Sequence, residues 1–343
     1  MTDTAPRRKA ATITDVAALS GVAPSTVSRA LTTPDRVNAL TRARIEKAAE
    51  EIGYVSPRGA SSGPGTRTRA VAVLVADITN PFFFGIIRGA QQQLKAAGYR
   101  QILVDTEESG ELEAATLDSL GASAVGAVVT ASRLPDADLA MYARNTPLVA
   151  INRRPEGVAN VLIDTPGGVQ QALEHLHSLG HRDVVYVSGP VSSWSNERRW
   201  KSLERAADRL GVALRRIGPF APTTAAGVVA ADVAVTTDAT AFIVFNDLIA
   251  IGMLARLRER GVDVPGDLSI VGCDDIFGAD FCNPPLTTLH APIERAGRVA
   301  VSMLLARIEA GSPDAAQRQS VLLPTTLTVR STTGPVPERK ARR

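Results

Sequence analysis

The chain has 343 residues, 45% of them apolar and 21% charged, an ordinary composition for a water-exposed protein of two or three domains. No apolar run approaches the ~18 residues that span a bilayer. The start, MTDTAPRRKA, lacks the apolar core of a secretory signal, so a cytoplasmic location and no membrane partner are expected. The net charge of +3 hides an asymmetry: eleven Lys/Arg stand against six Asp/Glu in residues 1–69, 23 against 28 in residues 70–334, and four against one in residues 335–343. A basic start on an acidic body points to an anionic partner at that end, nucleic acid above all.

Residues 12–54 read as three short helices. Thr14 is placed to cap the first, whose apolar positions are Val16, Ala17 and Leu19, with Gly21 able to take the left-handed turn after it. Pro24 opens the second, where its missing N–H costs nothing. Val27, Ala30 and Leu31 give that helix an inner face. The third has Asn38 as cap, Ile45, Ala48, Ala49 and Ile52 as its stripe, and Gly53 as stop. The second helix is polar outside, with Ser25, Ser28 and Arg29. Such a helix fits the major groove, where Arg bonds guanine twice and Ser bonds a base or a phosphate. Thr26, Asn38, Thr41 and Arg42 are placed to hold phosphates, and Thr14 and Arg58 complete the DNA-binding candidates.

Residues 56–69, SPRGASSGPGTRTR, have a linker composition. From Ala70 apolar strands alternate with helices: AVAVLVA (70–76), QILVD (101–105), AVGAVVT (124–130) and PLVAI (147–151), then again DVVYVS (183–188), TAFIVF (240–245) and LSIVG (268–272). Strands apolar throughout make parallel sheets covered on both faces, and two such runs imply two doubly wound α/β lobes. Ligands of such folds bind beyond the carboxyl ends of the strands. There stand the run Asp77 to Phe83, Asn152, Ser195 to Arg199, Asn246-Asp247 and Asp274-Asp275. An Asn or Asp after a strand is equally often only a helix cap, and Asp247 is read as a candidate cap. Two cysteines and four scattered histidines give neither a disulfide framework nor a metal site, so no cofactor is expected and His175, His177, His181 and His290 are read as surface or turn residues.

The runs TDVAALSGVAPSTVSRAL and LTRARIEKAAEEIGYVSP resemble the DNA-binding segment of the lactose-repressor (LacI) family. DITNPFF, LGHRDVVYVSGP, NERR, FND, LSIVGCDD and PPLTTL resemble its effector domain, so the likeness covers nearly the whole chain. The resemblance implies Pro24 and Ser25 as operator-choosing residues, with Arg29 as a further base contact. It also implies a periplasmic-binding-protein-like body whose effector cleft is lined by Phe82, Phe83, Asn152, Arg199, Asn246 and Asp274. An Arg fork and a carboxylate each grip paired hydroxyls, as on a sugar. The family often places an aromatic residue near position 222, where this chain has Pro222, with Phe220 close by. In the family the linker forms a hinge helix that inserts a leucine into the minor groove. Here that position is Gly63, and the surrounding Gly and Pro disfavour a helix, so weaker bending of the operator is expected.

The organisation expected is a helix-turn-helix domain over 1–56, a linker over 57–69 and an effector and dimerisation body over 70–331. Lobe one takes about 70–163 and 291–321, lobe two about 164–290 and 322–331. A disordered tail fills 332–343, without the apolar repeat that makes some relatives tetramers. By resemblance the protein is a repressor, a homodimer on a near-palindromic operator, answering to a small polar effector such as a sugar or sugar derivative. Two rivals are weighed. An enzyme would need a phosphate loop, a nucleophile elbow or a nucleophile–base set, and none is visible. A transport-type sugar-binding protein would have a secretory signal and no DNA-reading segment.

Overall fold

The computed structural model describes residues 11–32, 36–52, 54, 69–121, 123–310 and 319–338. The linker as far as residue 68, with Arg58 and Gly63, lies outside the described residues, as does the expected helix stop Gly53. The chain divides into two units, Met1–Arg69 and Ala70–Arg343.

The first unit holds α1 (Ile13–Ser20), α2 (Pro24–Thr32) and α3 (Ala39–Glu51). Val16, Ala17, Val27, Ala30, Ile45 and Ala48 form its core, with Leu31, Ala49, Ile52 and Tyr54 packed around them. The start of α1 corrects the sequence reading. Thr12, not Thr14, is the cap, and its hydroxyl and the Asp15 carboxylate bond each other's backbone N–H in a capping box. Asp at the third helical position closes that box, whereas Thr14 already lies inside the helix. Gly21 takes the left-handed conformation, φ 66°, that ends α1, and Asn38 caps α3 as expected.

In the second unit β1 (Ala70–Val75), α4 (Phe82–Ala96), β2 (Arg100–Asp105), α5 (Gly110–Ser119), β3 (Ala127–Thr130), α6 (Asp136–Asn145), β4 (Leu148–Ile151) and β5 (Ala159–Ile163) wind lobe one. The chain crosses to α7 (Thr165–Ser178), β6 (Asp183–Val187), α8 (Trp194–Leu210), β7 (Ala213–Ile217), α9 (Thr224–Ala234), β8 (Ala241–Val244), α10 (Asp247–Glu259), β9 (Ser269–Asp274) and β10 (Thr287–His290). It returns to lobe one as α11 (Ile293–Ala310) and β11 (Ser320–Leu323), then crosses again to β12 (Thr326–Thr328). The strand orders are β11-β5-β4-β3-β1-β2 and β12-β10-β9-β8-β6-β7, the same winding twice. All pairings are parallel except β10 with β12. In each lobe the order reverses beside the first strand, which opens a crevice at the carboxyl ends there.

The returning helix α11 is seated on α4 by backbone contact. A Cβ at Gly89 would stand 2.0 Å from the Glu294 carbonyl oxygen, and one at Gly297 2.2 Å from that of Ile86. No larger residue fits either place, so α4, whose first turn faces the crevice, is fixed by a segment two hundred residues downstream.

Two further expectations are corrected. The chain past 332 is ordered as far as Val336. Thr332 is buried, its hydroxyl donates to the Ile270 carbonyl, and the Val336 N–H donates to that of Leu179. His181 is the reason. It is fully buried, with Nδ1 2.8 Å from the Thr240 hydroxyl and Nε2 3.1 Å from both the Ser269 hydroxyl and the Gly334 carbonyl. A buried imidazole needs partners for both nitrogens, and the tail supplies one.

Candidate functional site

Between the carboxyl ends of the two sheets lies a cavity of about 50 Å³. All six residues expected there line it: Phe82 and Phe83 on the first turn of α4, Asn152 after β4, Arg199 on α8, Asn246 after β8 and Asp274 at the end of β9. Phe82 and Phe83 meet edge to face, 5.2 Å between centroids, and form an apolar wall on the lobe-one side.

Arg199 is the best-anchored charge. Its Nε donates to the Thr165 hydroxyl at 3.0 Å and its Nη1 to the Phe245 carbonyl. The guanidinium carbon lies 5.0 Å from the Phe245 ring centre, and Nη2 stands 3.9 Å from Asp274 Oδ1. A rigid fork held by one face presents its remaining edge to the cavity beside a carboxylate. Asn246 has a structural duty as well. Its Oδ1 accepts from the Ile249 N–H as the cap of α10, and its Nδ2 donates to Pro222. Asn152 Oδ1 accepts from the Ile163 N–H.

Asp247 is not the cap of α10. It is fully buried, accepting from the Thr288 hydroxyl at 2.6 Å and the Ile276 N–H at 3.0 Å, and so fastens β10 to the loop after β9. The neighbours Asp274 and Asp275 diverge, as adjacent residues after a strand should. Asp274 faces the cavity, while Asp275 binds Arg330 at 2.7 Å and His290 at 2.9 Å. Asn196 is buried too. It accepts from the Tyr186 hydroxyl and the Gly189 N–H and donates to Ser188, which fixes the loop leading into α8.

The backbone around the cavity is strained. Among the described residues the non-glycine positions with positive φ are Glu107, Glu108, Ala131, Asn152, Asp274 and Asp275, and all follow or end a strand at this crevice. Glu108, Ala131, Asn152 and Asp274 line the cavity itself. Such conformations cost about 1–3 kcal/mol each and persist where the side chain is needed. Ser195, from the run after β6, lines the cavity too, and so do Glu108, Arg133, Ser193 and Phe245, which were not singled out from the sequence. Phe245 supplies the lobe-two aromatic that position 222 lacks; Phe220 instead packs against the lobe-two core.

Burial pushes the Asp274 carboxyl up to about 8 against the pull of Arg199, and the Asp247 carboxyl up to about 6 against its hydrogen bonds. Both pKa values are raised by folding. Their stabilising contribution is therefore complete below pH ~4 and is lost as pH rises through 6 and then 8. His175 and His181, lowered by burial, act oppositely but only below about pH 6.5. Between pH 6.5 and 8 the stability of the full chain should fall, by at most about 1.4 kcal/mol per pH unit for the one proton on Asp274. Asp274→Asn should flatten that slope in denaturant unfolding; an unchanged slope would assign the proton elsewhere.

In the first unit, Pro24, Ser25 and Arg29 are exposed on α2 while Val27 and Ala30 are buried. Thr26, Ser28, Thr41 and Arg42 are half-buried, Thr14 and Asn38 exposed. Arg42 pairs with Glu46 at 3.5 Å, one turn away on α3, and the Asn38 side chain accepts from the Leu40 N–H.

Residues 12–56 match the family described as bacterial regulatory proteins, lacI family, and residues 173–333 match the periplasmic binding protein-like domain. The HTH-type transcriptional repressor CytR of Escherichia coli K12 is 32% identical over 308 residues, 88% of this chain and 90% of that protein. The chain belongs to the lacI family. It is a DNA-binding transcriptional regulator with an effector-binding body. Two solved structures of similar fold are a transcriptional regulator CelR–cellobiose complex and a lac repressor dimer bound to operator and the anti-inducer ONPF. The first is 29% identical, with TM-score 0.69, covering 94% of this chain and 99% of that one. The second is 25% identical, with TM-score 0.71, covering 95% and 100%. Among the described residues no helix is long and apolar enough to cross a membrane.

Proposed function

We propose that this lacI-family protein is a cytoplasmic repressor that binds a near-palindromic operator as a homodimer and is released by a small polar effector, a sugar or sugar derivative, held between its lobes. Pro24, Ser25 and Arg29 read bases, while Thr14, Thr26, Ser28, Asn38, Thr41, Arg42 and Arg58 hold or orient the phosphate backbone. Phe82, Phe83, Asn152, Arg199, Asn246 and Asp274 hold the effector. The observation that carries this reading is the convergence of those six on one strained cavity at the strand ends. The relatives support the partners: one similar structure holds cellobiose, the other is an operator-bound dimer.

A cavity of about 50 Å³ is far below the several hundred Å³ that enclose a small ligand. The effector therefore binds with the lobes further apart, and the three crossings are the hinge. They follow Ile163, His290 and Leu323, and the first and third are tied to each other. The Asp164 N–H donates to the Leu323 carbonyl at 2.8 Å, and the Thr325 hydroxyl to that of Asp164 at 2.8 Å. The effector favours one lobe arrangement, and the two headpieces of a dimer then match or miss their half-sites. Among the described residues no histidine or cysteine lines the cavity, and its arginines stand beside carboxyl groups, which supports a binding protein rather than an enzyme.

The test is selection of duplexes from a random pool by the full-length chain, followed by sedimentation and by release with carbohydrates. The expected result is a two-fold symmetric site, a dimer in solution, and salt-sensitive binding lost on adding one sugar. A protein that enriches no sequence refutes the operator reading. A tetramer refutes the dimer.

A further inference from the structure

Glu108 stands where β2 has ended and the chain turns back toward α5. Glu107 and Glu108 have φ of 49° and 58°, two consecutive side-chain-bearing residues in the region that suits glycine. This turn brings the Glu108 carboxylate to the lobe-one wall of the cavity. There Oε2 accepts from both Nε and Nη2 of Arg133, whose Nη1 donates to the Ala131 carbonyl at 3.0 Å. The Arg133 side chain is 8% exposed and that of Glu108 29%. Oε1 of Glu108 accepts no hydrogen bond among the described residues.

The other arginine that lines the cavity is held on one face. Arg199 has Thr165, Phe245 and Asp274 around it. The starts of three helices point here, and positive helix ends would favour an anion, but one N–H of each is capped by a side chain. Phe82 N–H donates to Asn80, Asn196 N–H to Ser193 and Ile249 N–H to Asn246. On the lobe-one wall an incoming ligand therefore meets a cation already matched to a carboxylate, and one oxygen of that carboxylate with no donor of its own.

We propose that Glu108 is a specificity-determining residue of the effector site, which accepts a hydroxyl or N–H of an uncharged ligand and excludes the phosphorylated or carboxylated analogue of that ligand. The proposal rests on this cavity being the effector site. A hydroxyl bonded to a carboxylate makes a short, charge-assisted bond, whereas a second anion in its place meets a like charge. Arg133 is the positioning residue, fixing which oxygen is free.

The experiment is thermal shift and calorimetry on the full-length chain with matched probes. These are D-glucose with D-glucose 6-phosphate and D-glucuronate, D-ribose with D-ribose 5-phosphate, and adenosine with adenosine 5′-monophosphate. At least one uncharged probe should bind, and its anionic partner should bind at least tenfold more weakly. Glu108→Gln, which keeps the shape, should weaken the uncharged probe at least tenfold and shrink the discrimination to below threefold. Glu108→Asp, which keeps the charge, should still exclude the anion, and serves if the Gln variant does not fold. Glu111→Gln, on an exposed residue of α5 away from the cavity, should change nothing. An anionic probe that binds as tightly as its uncharged partner overturns the proposal, as does a Glu108→Gln variant with unaltered affinity and discrimination. Binding of anionic probes alone refutes this inference and leaves the effector reading standing; no binding by any probe refutes both.

Discussion

Arg199→Ala should abolish the response to effector and leave operator binding in place. The residue is 4% exposed and joins three elements: Thr165 at the first crossing, Phe245 at the end of β8 and Asp274 at the end of β9. Hydrogen bonds to a charged group are worth about 1.5–3 kcal/mol each, so losing the fork's free edge should weaken the effector at least a hundredfold. Stability should drop too. Breaking a buried ion pair typically costs about 3–5 kcal/mol, because a charge is left unpaired. Here the loss should sit at the lower end, since burial already pushes the Asp274 carboxyl up to about 8 and it takes a proton instead. Arg199→Lys should not rescue, because a point charge cannot reach Thr165 and Phe245 together while facing the cavity. Calorimetry reads the effector and mobility shift the operator, whose reader has its own core. A variant that still releases operator at wild-type effector concentration would remove Arg199 from the site.

The strands were legible because parallel strands buried on both faces must be apolar throughout, as in AVAVLV of β1 and AFIV of β8. The rule that ligands gather beyond strand ends then placed Asn152, Asn246 and Asp274 without any knowledge of their contacts. Glu108 and Arg133 obey the same rule, following β2 and β3, yet were missed. In DTEESGE four acidic residues compete, and only the left-handed turn at Glu107 and Glu108 decides which one faces inward. Asp247 was misread because Asn246 and Asp247 are both good caps, and a cap is settled by which residue keeps an extended backbone, here Asn246 with φ −149°. His181 and the tail were misread together. A polar residue pinned by a segment 153 positions later leaves no local trace.

Arg29→Ala should weaken the operator roughly thirtyfold to twenty-thousandfold while sparing effector binding. Val27 and Ala30 face the core of the first unit, so Pro24, Ser25 and Arg29 lie on the outward face by the helical repeat. A bidentate Arg–guanine contact is worth about 1–3 kcal/mol, and a symmetric dimer makes it twice, about 2–6 kcal/mol in all. Because Arg29 is exposed, its removal should leave the melting of the protein unchanged within about 0.5 kcal/mol. Salt dependence separates reading from holding. A lost base contact reduces discrimination at one position and keeps the slope of log affinity against log salt. A lost phosphate contact weakens all sequences alike and lowers that slope by about 1 per half-site. Arg42→Ala, on α3 beside Glu46, should show the second pattern. If Arg29→Ala showed it instead, Arg29 would be a phosphate holder, and the reading of bases would fall to Pro24 and Ser25 alone.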